Sequence, residues 1–105
     1  MRLDPRQVYN LSALGWGYVT AGQYEEAITT LKTVLTYNPN LWFAHWGLAV
    51  SYSELGREEE ARTAGAEMLR VMPQFSVEAW KRMVPQKDPA VIERWAAALR
   101  KAGLK

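Results

Sequence analysis

The chain has 105 residues, a common length for one folded domain. Apolar residues make up 49% of the sequence and charged residues 23%, which is typical of a globular protein and excludes a disordered one. The net charge of +2 is too small and too dispersed to indicate a nucleic-acid or membrane partner.

The sequence also limits the compartment and the chemistry. It contains no cysteine, which excludes a thiol nucleophile and a cysteine-based metal site. The first residues lack the apolar run of a signal peptide, and no stretch approaches the ~18 apolar residues of a membrane span. We therefore expect a cytoplasmic protein.

Two helices are predicted in the first third of the chain. Asp4 and Pro5 are a typical helix start, because the Asp side chain accepts a hydrogen bond from a first-turn amide and proline needs no amide partner there. This helix is expected to run to about Ala21 and to end at Gly22 in a left-handed conformation. Apolar residues at helical spacing predict a second helix over residues 23–37.

The same plan returns 34 residues later, with helices expected over residues 41–54 and 57–71 and with Asn40 as the cap of the third. A self-similar period of this length is typical of stacked repeats, in which one unit cannot bury its own apolar face. The matching positions are Leu14 and Leu48, Gly15 and Ala49, Tyr18 and Tyr52, Gly22 and Gly56, Ala27 and Ala61, Leu35 and Leu69, and Pro39 and Pro73.

One position breaks the match between the two units. Leu31 of the first unit is replaced by Gly65 in the second, in mid-helix, where glycine costs about 1 kcal/mol relative to alanine. The sequence therefore predicts that a bulky neighbour, Trp80, packs closely against Gly65.

The repeat decays after residue 75. Ser76 predicts the cap of a short helix that Pro85 ends. The dipeptide Asp88-Pro89 repeats the opening signal of the chain and predicts a last helix to Ala102, with Gly103 beyond its end.

The repeated positions, with Leu11, Tyr24 and His45, resemble the tetratricopeptide repeat family of 34-residue helix-turn-helix units. The resemblance implies an all-α, right-handed helical-repeat array with two full repeats and a C-terminal closing hairpin. We expect one domain over residues 1–105, with repeats at 8–41 and 42–75 and a degenerate third unit with a capping helix at 76–105.

The tail has a second resemblance. Residues 75–80, 87–94 and 99–104 look like the segment that closes the repeat region of bacterial class III adenylate/guanylate cyclases. This resemblance implies an alternative function, a C-terminal regulatory or oligomerisation segment of such a signalling enzyme.

No residue pattern indicates catalysis, a cofactor or a metal. His45 is the one histidine, it lies on the predicted inward face, and a packed core histidine is the favoured interpretation. The Gly15-Trp16-Gly17 stretch lacks the context of a nucleotide-binding loop. We expect a protein-interaction module that is not an enzyme and that binds neither nucleic acid nor membranes.

The opposite face of the first helix in each unit is the candidate binding surface. In the family, as the resemblance implies, these helices line a concave groove that binds a peptide or helix. The stripe lacks the Lys, Arg and Asn of a carboxylate clamp, which predicts an apolar, aromatic ligand. Its residues are Tyr9, Ser12, Trp16, Val19 and Thr20 in the first unit and Phe43, Trp46, Val50, Ser53 and Glu54 in the second.

Three interpretations of this stripe remain open at the level of sequence. In the first, the stripe is a groove for a protein or peptide partner. In the second, it is covered by a second copy that pairs through the N-terminal helices, or by repeats upstream. In the third, the C-terminal helices fold back and bury it.

Overall fold

A computed structural model describes residues 5–84 and 86–105. Over these residues the chain forms six helices and no strand, which confirms the predicted all-α repeat fold. The predicted cap at Asp4 and the helix end at Pro85 lie outside the described residues. The helices are α1 (Pro5–Ala21), α2 (Tyr24–Tyr37), α3 (Trp42–Glu54), α4 (Glu58–Val71), α5 (Val77–Met83) and α6 (Pro89–Lys101).

The turns inside the two units have the same backbone geometry. Gly22 and Gly56 have φ angles of 76° and 75°, the left-handed conformation predicted for Gly22. The next residue in each turn donates its backbone N–H to a tyrosine carbonyl four residues before the glycine, at 2.9 Å in both cases. These bonds satisfy carbonyls at the helix end, so the 34-residue period corresponds to a repeated structural unit.

One leucine side chain is buried where the two units pack together. Leu31 of α2 is fully buried between α1 and α3. A Cβ added to Gly15 would lie 2.6 Å from a Leu31 methyl carbon, and one added to Gly47 would lie 2.7 Å from the other. The two glycines therefore let α1 and α3 approach α2 on either side.

The C-terminal helices begin where the sequence predicts. The Ser76 side chain accepts from the Ala79 amide and the Asp88 side chain accepts from the Ala90 amide, both at 3.0 Å. The predicted cap at Asn40 is wrong, because the N-cap of α3 is Leu41 and no side chain caps this helix. The chain can start α3 without a cap because this helix is held by burial along most of its length.

The close approach predicted at Gly65 exists, but the predicted neighbour is wrong. A Cβ at this position would lie 2.4 Å from the backbone oxygen of Ala102, at the end of α6. Trp80 instead packs against Trp46, with ring centroids 5.4 Å apart. The glycine therefore admits the backbone of α6, which packs against α3, α4 and α5.

The core is rich in tryptophan. Trp46, Trp80 and Trp95 are the largest fully buried side chains, and they come from three different helices. None of the described helices is long and apolar enough to cross a membrane.

Candidate functional site

The predicted stripe on α1 and α3 is divided by the structure into accessible and buried parts. Val19, Trp46 and Val50 have at most 1% of their surface exposed. These three residues are therefore core. The C-terminal helices contribute to this burial, since α6 packs against α3 and Trp80 of α5 packs against Trp46. Tyr9 and Thr20 are exposed, while Ser12, Trp16, Phe43, Ser53 and Glu54 are half-buried.

The second helix of the tail covers one end of the stripe. Ser53 donates its hydroxyl to the Ala98 carbonyl at 2.9 Å. Arg94 donates two hydrogen bonds to one carboxylate oxygen of Glu54, at 2.7 Å and 3.0 Å. These polar contacts engage the predicted groove residues Ser53 and Glu54 with the chain's own helix α6.

Five aromatic rings pack together beneath the other end of the stripe. Trp46 is at the centre, and the rings around it meet it at centroid distances in the range favoured by aromatic pairs, with edge or tilted geometry. The distances from Trp46 are 5.7 Å to Trp16, 5.5 Å to Phe43, 5.4 Å to Trp80 and 5.9 Å to Trp95. Four of the five rings, all but that of Trp95, form the floor of a cavity.

Above this floor lies a cavity of about 500 Å³, called the aromatic cavity below. None of the described residues that line it carries a charge. Tyr9 stands at its edge with 74% of its surface exposed, and Trp42 and Met83 are also exposed. The lining residues are Tyr9, Ser12, Ala13, Trp16, Trp42, Phe43, Trp46, Trp80, Met83 and Val84.

Half of these lining residues were not in the predicted stripe. Trp80, Met83 and Val84 come from the tail, whose docking depends on packing between residues distant in sequence. Trp42 is not at one of the helical positions that define the stripe. Its large side chain in the first turn of α3 could still have indicated it as a lining residue. Val19, Thr20, Val50, Ser53 and Glu54 do not line the cavity.

Polar groups lie beside the rings on the α6 side. Burial, with the nearby Glu54 carboxylate, raises the pKa of the Tyr24 phenol, while the neighbouring Arg94 and Trp95 act in the opposite direction. The indole nitrogens of Trp46 and Trp80 are buried with no hydrogen-bond partner among the described residues. Packing, rather than hydrogen bonding, therefore holds these two rings.

His45 lies away from the aromatic cavity. It is buried and donates from Nε2 to the Pro39 carbonyl at 2.8 Å, as expected of a packed core histidine. In residues 5–84 and 86–105, no group of three His, Asp or Glu side chains is placed to hold a metal ion.

Comparison with known proteins covers the repeats and the first helix of the tail, α5, but not α6. The family model described as tetratricopeptide repeat matches residues 18–84, which is more than half of the chain. No curated protein and no solved structure matches the chain significantly. The resemblance of the tail to nucleotide cyclases finds no support and stays a prediction.

Proposed function

Since the chain belongs to the tetratricopeptide repeat family, we propose that it is a protein-interaction module whose aromatic cavity receives an apolar side chain of a peptide or helix partner. The observation that carries the proposal is a cavity of about 500 Å³ with an uncharged lining and exposed aromatic and methionine side chains at its edge. Ligand pockets are typically concave, mostly apolar and of this volume.

The lining favours one class of anchor. Because none of the described lining residues is basic, a C-terminal carboxylate would lose hydration there and gain no ion pair from them. A Leu, Phe or Trp side chain instead gains roughly 1.5–3 kcal/mol on full burial, equivalent to about 10- to 100-fold in affinity. We expect the partner to offer one such anchor within a short segment.

The proposal is tested by selecting peptides from a displayed random library on the purified chain. The selected peptides should share an aromatic or large aliphatic residue, and replacing it by alanine should weaken binding by about 10-fold or more. In ¹H–¹⁵N spectra, bound peptide should shift the indole signals of Trp16, Trp42, Trp46 and Trp80 more than that of Trp95, which does not line the cavity.

Variants at the edge of the cavity separate binding from folding. Tyr9→Ala and Met83→Ser change exposed side chains, so the thermal midpoint should stay near that of the wild type while peptide affinity falls. Leu69→Ser is the matched control, because Leu69 is an exposed apolar residue of α4 outside the cavity. Equal loss of affinity in the control, or selected peptides without a common apolar anchor, would contradict the proposal.

A further inference from the structure

Arg6 lies one helical turn before the residues of α1 that line the aromatic cavity. Arg6, Tyr9, Ala13 and Trp16 are at i, i+3, i+7 and i+10, so they lie on one side of this helix. The last three of them line the cavity, and Arg6 extends the same side beyond Tyr9. The end of the cavity at Tyr9 is therefore followed by a guanidinium group.

This guanidinium is accessible and unpaired. Arg6 is exposed, and no ion pair or hydrogen bond with the described residues engages its side chain. Other arginines of the chain are engaged, since Arg94 pairs with Glu54 and Arg57 pairs with Glu60, each at 2.7 Å. The charge of Arg6, unlike the charges of these two, is left for a group outside the chain.

The described helices around the cavity offer no carboxylate that competes for this charge. α1 carries no acidic residue, and α3 carries one, Glu54, at its last position. Glu78 of α5 lines a different cavity. Residues 1–4, which lie outside the described residues, hold one basic and one acidic side chain and leave this balance unchanged. The Tyr9 end of the cavity therefore favours a negative charge on a bound partner.

From this arrangement we infer that the partner segment carries an acidic residue beside its apolar anchor, and that Arg6 binds this acid. The inference rests on the proposed function, because it names the partner chemistry of the same cavity. Charges at the rim of an interface steer the encounter and select among partners more than they add affinity. Arg6 is therefore a specificity-determining residue, which selects the sequence around the anchor.

The geometry of α1 sets the spacing between the two groups of the partner. Residues 6 and 16 are ten positions apart, which is about 15 Å along the helix axis. An extended peptide advances about 3.3 Å per residue, so about four or five residues cover this distance. With the anchor above Trp16, the acidic residue is expected within about five positions of the anchor.

Parallel selections from the displayed peptide library, on the wild type and on Arg6→Glu, test the inference. Both proteins should select the same apolar anchor, because Arg6 does not line the cavity. Wild-type peptides should be enriched in Asp or Glu within about five positions of the anchor, and Arg6→Glu peptides in Lys or Arg. The helical circular dichroism spectrum of Arg6→Glu should be unchanged, because an acidic residue suits the first turn of a helix.

The matched control is Arg62→Glu, which changes the net charge by the same amount. Arg62 is an exposed residue of α4 that does not line the cavity, so this variant should select the same peptides as the wild type. Enrichment of basic residues with this control as well would show an effect of net charge alone and would overturn the role of Arg6.

Association rates measured by stopped-flow fluorescence then isolate the charge. A selected peptide whose acidic residue is replaced by lysine should associate with the wild type about 5- to 10-fold more slowly at low salt. Arg6→Glu should reverse the order of the two peptides. The difference should vanish near 1 M salt, where the Debye length is about 3 Å.

The outcomes separate this inference from the proposed function. Peptides that share the anchor but have the same acidic content on the wild type and on Arg6→Glu would overturn the inference and leave the proposed function standing. Selections without a shared anchor would overturn both. A rate difference that persists near 1 M salt would assign the selection to packing instead of charge, and would also overturn the inference.

Discussion

The substitution Gly65→Ala, which adds one methyl group, tests how the tail docks against α4. Replacing an exposed or unconstrained helical glycine by alanine stabilises a protein by about 1 kcal/mol, because alanine has the higher helix propensity. At Gly65 the added Cβ would lie 2.4 Å from the Ala102 oxygen, 1.0 Å closer than the 3.4 Å at which ordinary contact begins. The same substitution is therefore expected to be destabilising there.

The size of the destabilisation depends on how firmly the backbone around Ala102 is held in place. Ala102 donates its N–H to the Ala98 and Leu99 carbonyls, and Leu104 donates to Leu99, each at 3.1 Å. The Lys105 carbonyl accepts from Val77 at 2.8 Å, which ties the end of the chain to α5. Overpacking against such a site costs about 1–3 kcal/mol, and the fixed backbone favours the upper part of that range.

After subtraction of the propensity gain, Gly65→Ala should lower the free energy of unfolding by about 2 kcal/mol. For a domain of this size, that corresponds to a fall in thermal midpoint of roughly 10 °C. The matched control is Gly17→Ala in α1, where an added Cβ meets no atom within 4 Å. The control should raise the midpoint by about 4–8 °C.

Urea unfolding and a thermal scan of the two variants, side by side with the wild type, give the result. Opposite signs at positions 65 and 17 would support the docking of α6 on α4. If Gly65→Ala stabilised the protein as much as Gly17→Ala, the backbone of α6 could not lie against Gly65, and the account of the tail would fail.

Two further predictions concern the buried rings. Trp46→Ala should lower the free energy of unfolding by about 3–5 kcal/mol in urea, a large share of the ~5–15 kcal/mol of a small domain; a loss below about 1 kcal/mol would show that this ring is not core. The raised pKa of Tyr24 means that the folded state holds the phenol proton more tightly than the unfolded state does. The protonated phenol therefore stabilises the fold fully below the ordinary pKa of 10.0, and this stabilisation is lost as pH rises through the folded-state pKa. Urea midpoints measured across about pH 9 to about pH 11 should fall less steeply for Tyr24→Phe than for the wild type, and identical slopes would contradict it.

The sequence predicted the parts of the fold that depend on near neighbours. All six helices of the described chain begin within one residue of the expected position, and the glycine turn at Gly22 and the caps at Ser76 and Asp88 are as expected. Asn40 was assigned a capping role that the chain does not use. Cap choice between adjacent residues depends on the entry angle of the chain, which the packing of α3 sets.

The candidate site was predictable only in part. Tyr9, Ser12, Trp16, Phe43 and Trp46 line the aromatic cavity as members of the predicted stripe, and their role in binding stays a proposal. The side chains from α5 were missed, because a docking partner that is distant in sequence leaves no periodic pattern at the site it covers.

The sequence by itself determined a pair of helix-turn-helix units, since helical periodicity, left-handed glycines and the 34-residue spacing are local properties of the chain. Only the tertiary structure decided what the aromatic stripe became. Docking of α6 against Gly65, Ser53 and Glu54 partly covers one end of the stripe, and α5 completes a cavity at the other. The physical reason is that a stripe of large rings gains free energy from any apolar surface that covers it, and the shape of the folded chain alone selects which surface can reach it.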